Sequence, residues 1–287
     1  MTNQLYEKPV HARFIVDLDN KEQLPKRFRT TSDSVNKEEN ESINLEGLKD
    51  LKSSGSGMFS QKGLIKIKQE IGDYPITVVD LRQESHGFVN GMAVSWFGKW
   101  NYANKKLNQN EVLEVEKKQL GELDYSDSIS FDYIEGKSVH MSEPIEDPKV
   151  IQTEEEVVKQ EGLNYKRFCV TDHNMPSGTI IDEFVNFVKC LPENTWLHFH
   201  CRGGVGRTTT FMILYDMMKH VPKVSCSDIL SRQKLIGGRD MYRLAEGTYK
   251  HTAAVERLAF ILNFYEYCLA NYKDDFSMSW SEWLENK

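Results

Sequence analysis

The chain has 287 residues, of which 39% are hydrophobic, 28% charged and 11% aromatic, enough for one large globular domain or a domain with a sizeable insertion. A formal net charge of −7 argues against a generally basic nucleic-acid binder, so an anionic ligand would need a local basic pocket. No apolar run reaches the about 18 residues of a membrane span, which excludes stable membrane insertion through a helix.

The start, MTNQLYEKPVHARF, has no apolar signal core, so the expectation is a cytoplasmic location or export by a signal the sequence does not display. Residues 1–60 are polar, with a charged tract at 36–42 and a predicted loop SSGSG at 53–57. Ser60 then caps an amphipathic helix that Gly72 ends. ITVVDLR (76–82) reads as a buried strand, and WFGKWNYAN (96–104) as an aromatic segment that packs or lines a surface. Residues 105–162 are acidic, with short alternating runs broken by Gly and Pro. They predict short strands of a small β-rich insertion whose charges form a solvated face, between two parts of a catalytic domain at 1–104 and 163–287.

Beyond 163 the pattern turns α/β. KRFCVTD (166–172) and TWLHFH (195–200) read as strands. PSGTIIDEFVNFVKCL, RTTTFMILYDMMKH, SDILSRQKLIGG and residues 252–271 read as helices. Alternating strands and helices imply a mostly parallel central sheet covered on both faces. Five irregularly spaced cysteines form no disulfide framework and fit a reducing compartment.

The chemistry concentrates in HFHCRGGVGRTTTF, residues 198–211. A strand runs into a loop containing Gly203, Gly204, Val205 and Gly206 and then into a helix N-terminus, an arrangement whose backbone N–H groups and dipole bind an anion. Arg207 is placed to clamp phosphoryl oxygens, and Cys201 sits at the centre, where the same field stabilises a thiolate. Cys226 is also followed six residues later by an arginine, Arg232, but in a helix without glycine, so that pair is a decoy. No lysine follows the glycines as a nucleotide-binding loop requires.

HCRGGVGRTT resembles the H-C-x5-R-[ST] signature of cysteine-dependent tyrosine phosphatases. With TDHNMP (171–176), DLRQESHGFVNG (80–91) and RQKLIGG (232–238), it is most similar to the tyrosine-phosphatase-like inositol polyphosphatases, or cysteine phytases, of bacteria. That resemblance implies an α/β fold with a tyrosine-phosphatase-like sheet flanked by helices and a small β-barrel-like insertion in the acidic segment. It also implies Cys201 as nucleophile, Arg207 as phosphate ligand, Asp172 as general acid and then base, and Thr208 as a hydrogen-bond donor to the sulfur. His200 would hold the loop and thiolate through backbone contacts. Gln233 would position water, or else is a surface helix glutamine. Met175 stands where many tyrosine phosphatases place a tryptophan. No cofactor or metal is implied, and no His/Cys cluster has metal-ligand spacing.

An inositol hexakisphosphate is a compact polyanion, so its site should carry several cations around the catalytic pocket. Arg202, beyond what the chemistry needs, is one hint, and His173 beside the acid resembles a substrate-contacting histidine of the family. Arg29 and Lys250 lie where the family places basic substrate ligands. Lys26, Arg27 and His251 are further candidates, and the alternative for Lys250 and Arg257 is simple solvation of their helix. The expected substrate is an inositol polyphosphate, with phosphotyrosine protein or a phosphoinositide head group as the alternative. A phosphate-binding pseudoenzyme is disfavoured because Cys201, Arg207 and Asp172 are all present, and a merely structural thiol because of the glycines around it. No protein partner is indicated.

Overall fold

The computed structural model describes residues 12–35, 42–124, 127–135, 138–146 and 148–287. Most of the N-terminal segment read for a signal, and most of the charged tract at 36–42, lie outside the described residues. In chain order the first elements are β1 (Arg13–Leu18), β2 (Arg29–Thr30), β3 (Ser53–Ser56), α1 (Gln61–Ile71), β4 (Ile76–Arg82), β5 (His86–Val89), β6 (Met92–Phe97) and α2 (Gln109–Leu123). Five short strands follow: β7 (Ser128–Ile129), β8 (Asp132–Glu135), β9 (Ser138–Met141), β10 (Ile145–Glu146) and β11 (Ile151–Gln152). Next come α3 (Glu154–Gln160), β12 (Asn164–Val170), α4 (Gly178–Lys189), β13 (Trp196–His200), α5 (Gly206–His220), α6 (Cys226–Leu235), α7 (His251–Asn271) and α8 (Trp280–Glu285).

The central sheet has the order β12-β4-β13-β3-β2, parallel throughout except where β2 joins β3. This is the mostly parallel, helix-flanked sheet that the alternating pattern implies. Strand alternation divides the core into two layers. Val79, Leu81, Leu197 and Phe199 face α4, α5 and α7, whereas Ile76, Val78 and Trp196 face α1 and α3. On the first face Phe168, Phe184 and Phe211 pack ring against ring, each buried aromatic contributing about 1.5–3 kcal/mol. The helix predicted after Ser60 is α1. The Ser60 side chain accepts from the Gly63 N–H, and Gly72 ends it at φ +83°.

SSGSG is a strand and not a loop. Residues Ser53–Ser56 form β3, fully buried beside β13. Its small residues reflect a close helix: a Cβ on Gly55 would lie 2.5 Å from Met212 Sδ and 2.8 Å from Thr208 Cγ2, both on α5.

The acidic segment also differs from the expectation of short strands alone. Its first part is the fifteen-residue helix α2, started by a capping box between Asn108 and Glu111 and seated through Val112, Glu116 and Leu120. Its acidic run is not wholly a solvated face, because Glu116 is buried and bonded to Arg167 (2.7 Å). The short strands β8, β9 and β11 join a sheet of order β11-β5-β6-β1-β8-β9, so strands from residues 13–18 and 86–97 are its centre. That sheet is open, and no closed barrel forms among the described residues.

Candidate active site

Strand β13 ends at His200 in the middle of the central sheet, and Cys201 follows, 3% exposed. Its sulfur lies within a curled loop that ends at the first turn of α5. The Gly204 N–H donates to Sγ (3.3 Å) and the Thr208 hydroxyl donates to it (3.2 Å), so negative charge on sulfur meets two donors. Gly204 has φ +69°, and a Cβ there would stand 2.3 Å from the Gly57 nitrogen, so only glycine fits. Among the described residues the N–H groups of Arg202, Gly203, Val205 and Gly206 meet no protein acceptor, which leaves a ring of donors for an anion.

Arg207 is buried beneath this ring. Its Nη1 and Nη2 donate to the two carboxylate oxygens of Glu84 (2.7 and 2.9 Å), and Nη1 also reaches the carbonyls of Val170 (3.0 Å) and Leu81 (3.2 Å). Its Nε is buried without a partner, a donor left for a bound oxyanion. Burial opposes the charge on Arg207, but Asp172 and Glu84 outweigh it and hold the guanidinium firmly protonated. Burial likewise opposes the charge on Glu84, and Arg207 and Arg82 overcome it, keeping the carboxyl far below the usual range.

Asp172, partly exposed, closes the other side. One carboxylate oxygen accepts from the His173 N–H (2.9 Å) and lies 3.4 Å from Arg207 Nη2. The other accepts from Asn101 Nδ2 (3.2 Å). Cys201 after β13, Arg207 on α5 and Asp172 in the loop after β12, the residues expected as nucleophile, phosphate ligand and acid, thus lie around one site.

Several predicted site residues serve differently. Arg29 is not on the rim: it is 3% exposed and donates to the Gly204 carbonyl (3.0 Å) and to Thr209 Oγ1 (3.1 Å), bracing the loop from below. Burial lowers its pKa to about 10, partly offset by Cys201. Arg27 braces the same loop from outside through the Gly203 carbonyl (2.8 Å). Arg202 turns away to pair with Asp17 of β1 (2.8 Å) and covers the Phe97 ring. Asp17 also pairs with Arg82, which pairs with Glu84, so a buried chain of alternating charges joins Arg202 to Arg207.

His200 makes its side-chain bond to Glu154 (2.6 Å) and not to the loop. Gln233 is fully buried, so it is no surface glutamine: its Nε2 donates to Asp216 (2.9 Å), which also holds Arg232 of the decoy pair, and its Oε1 is buried without a partner.

Beside Lys250, Arg27, Lys26 and His251, which the sequence indicates, stand Arg239, Arg243 and Arg257, which it does not. Arg257 is buried, and its Nη1 donates to the His173 carbonyl (3.2 Å). A Cβ on Gly206 would lie 3.1 Å from Arg257 Nη1, so Arg257 does not solvate its helix but lies over the anion loop. Burial and then Arg239 lower it to about 10. Lys250 stands beside Tyr249, whose ring meets the His173 ring edge-on (5.9 Å). Met175 is exposed on the acid loop, and Lys26 is exposed beside Arg27. His251 reaches the Leu244 carbonyl (3.1 Å). Among the described residues Arg27, Arg239, Arg243, Arg257 and Lys250 have no carboxylate within ion-pair distance. No periodicity marks these residues, because their shared location is created by folding.

Behind the site, Asp80, His86 and Glu154 bring ligand-type atoms within 4.8 Å of one another. Burial and Arg82 oppose charging His86, yet Asp80 and Glu116 push its pKa up to about 9. The trio also meets Arg167, 3.0 Å from Asp80, and a protonated His86 makes it a cluster of paired charges.

The sequence profile of the protein-tyrosine-phosphatase-like phytases, described by inositol hexakisphosphate, matches residues 79–219. A solved phytase of this type from Bdellovibrio bacteriovorus is 33% identical, with 97% of each chain covered and a TM-score of 0.76. The myo-inositol phosphatase of Mitsuokella multacida, solved in complex with myo-inositol-(1,3,4,5)-tetrakisphosphate, is 35% identical with a TM-score of 0.88, covering 98% of this chain and 50% of that one. The effector protein hopD2 of Pseudomonas syringae pv. tomato is 34% identical over 83% of this chain and 52% of its own length. The chain thus spans about half the length of the Pseudomonas and Mitsuokella proteins.

Proposed function

Because the chain belongs to the protein-tyrosine-phosphatase-like phytases, we propose that it is a cysteine-dependent phosphomonoesterase acting on inositol hexakisphosphate and lower inositol polyphosphates. The observation that carries this reading is the buried Cys201 sulfur, met by the Gly204 N–H and Thr208 hydroxyl, with the unpartnered Arg207 Nε in the same pocket.

In the first step the Cys201 thiolate attacks phosphorus of a phosphate held by the loop amides and Arg207. The phosphorus–oxygen bond to the inositol breaks, protonated Asp172 gives its proton to the departing oxygen, and a phosphocysteine forms. In the second step Asp172, now a carboxylate, takes a proton from water as the water oxygen attacks phosphorus. The sulfur–phosphorus bond breaks, and the Thr208 hydroxyl receives charge on the departing sulfur. Glu84 keeps the Arg207 fork in plane, and Arg29 and Arg27 hold the loop to its curvature.

The substrate class is supported by the unneutralised cations Arg239, Arg243, Arg257 and Lys250, more charge than one phosphate monoester needs. The tetrakisphosphate bound by the Mitsuokella protein points the same way. No helix among the described residues is long and apolar enough to cross a membrane. Of the two locations open to the chain, likeness to an effector protein supports export.

The test is phosphate release from inositol hexakisphosphate, a phosphoinositide and a phosphotyrosine peptide, by wild type and Cys201→Ser without added metal. Release from the free inositol substrate, lost in the variant, is expected. Preference for the peptide or the lipid would keep the mechanism and overturn the substrate.

A further inference from the structure

Asn101 has no part in the steps above, yet it touches the acid. We propose that Asn101 is a positioning residue for proton transfer, its side-chain amide holding the Asp172 carboxyl in the orientation that reaches the leaving oxygen. This rests on Asp172 being the general acid.

Asn101 is delivered by the turn between β6 and α2. Trp100 and Asn101 are consecutive residues with φ of +56° and +65°. Such left-handed positions cost about 1–3 kcal/mol each, less for asparagine, and persist only where the surroundings hold them. Here they are held on both sides. The Asn101 N–H donates to the Gly98 carbonyl (2.8 Å), and the Trp100 ring stacks on Tyr249 at 5.0 Å and 17°. Asn104 ties the far end to the Gln83 carbonyl (3.1 Å) and Ser85 Oγ (2.9 Å).

At the tip of this turn Asn101 is 4% exposed. Its Nδ2 donates to Asp172 Oδ2, while its Oδ1 is buried with no partner. The groups facing Asp172 are the Arg207 guanidinium, the His173 backbone and imidazole, Arg257, Tyr102 and Asn101. The hydrogen bonds and ion pairs from Arg207 and His173 reach Oδ1, and the bond to Oδ2 comes from Asn101. An amide suits both halves of the cycle. Nδ2–H donates to a lone pair of the same oxygen in the carboxylate and in the protonated acid, so the acid's one O–H stays free for the leaving oxygen.

The experiment separates positioning from folding by the leaving group. An inositol alkoxide needs a proton to depart, whereas p-nitrophenolate departs without one. Asn101→Gly keeps the left-handed backbone and removes the amide. Its kcat on inositol hexakisphosphate is expected to fall about 10- to 100-fold, at least about tenfold more than on p-nitrophenyl phosphate, with Asp172→Asn giving the same pattern more deeply. Asn101→Asp puts a second carboxylate against the acid and should move the alkaline limb of kcat upward by roughly one pH unit or more. Equal losses on both substrates in Asn101→Gly, or an unmoved limb in Asn101→Asp, would overturn the role of Asn101. If Asp172→Asn shows no dependence on the leaving group, the assignment of the acid fails instead.

Discussion

Arg207 divides its guanidinium between structure and substrate: both Nη atoms hold Glu84, and Nε is left for the ligand. A lysine has one point of charge and cannot do both, so Arg207→Lys should lower kcat/KM by about a thousandfold or more while the fold survives. Thr208→Val removes the donor to sulfur. In the proposed reaction that donor helps the sulfur leave, so breakdown of the phosphocysteine should slow by roughly tenfold, visible as a phosphate-labelled enzyme trapped in rapid quench. At this scale the sequence was most legible where residues are neighbours along the chain. Cys201, the glycines and Arg207 form one loop, so their spacing together with the glycines carries their relation, which the same spacing at Cys226 and Arg232 lacks. The Arg202 and Arg29 side chains, expected to reach substrate, are held by Asp17 and the Gly204 carbonyl, 185 and 175 residues away, and no local spacing marks such partners.

At the scale of elements, the loop and β3 are fitted to each other without slack. Gly204→Ala would push a Cβ into the Gly57 backbone at positive φ and should destabilise the fold by on the order of 3 kcal/mol, read as a lower urea midpoint along with lost activity. The charge cluster between β4, β5, β13 and α3 gives stability a defined pH window. His86 is raised to about 9, so its contribution is complete below about 6.5 and lost as pH rises through 9. For Glu154 burial is outweighed chiefly by His200, lowering it to about 2, so its contribution is complete above about 4.5 and lost as pH falls through 2. The urea midpoint should therefore be highest between about pH 4.5 and 6.5 and decline toward pH 9, with the His86 imidazole titrating in that decline by NMR. The helix α2 was not legible, since its acidic composition imitates a loop. Its capping box and the Val112, Glu116, Leu120 face were the available signals.

For the whole molecule, a chain of net charge −7 keeps its unpaired arginines around one pocket. Polyanion binding there should be weakened by salt, with KM for inositol hexakisphosphate rising between 50 and 300 mM salt (roughly a twofold shorter screening length) and kcat little changed. Arg239→Gln should raise that KM several-fold and affect p-nitrophenyl phosphate far less, because a single phosphate is already met by the loop and Arg207. The two sheets share this site physically: Asp17 on β1 and Arg82 on β4 connect them through Glu84 to Arg207.

The run HCRGGVGRTT and the strand–helix alternation after residue 163 were sufficient to indicate the chemistry and the central sheet. Both are local: one is a loop whose backbone curvature depends on its own glycines, the other a hydrophobic period. What tertiary structure decided is everything that depends on approach between distant segments. It buried SSGSG as a strand under α5, set the Arg202 and Arg29 side chains against Asp17 and the Gly204 carbonyl, and brought Arg257 over Gly206. It also carried Asn101 to the carboxylate of Asp172. None of these has a covalent spacing to read, because each is fixed by which surfaces pack together and which charges are left to pair once water is excluded.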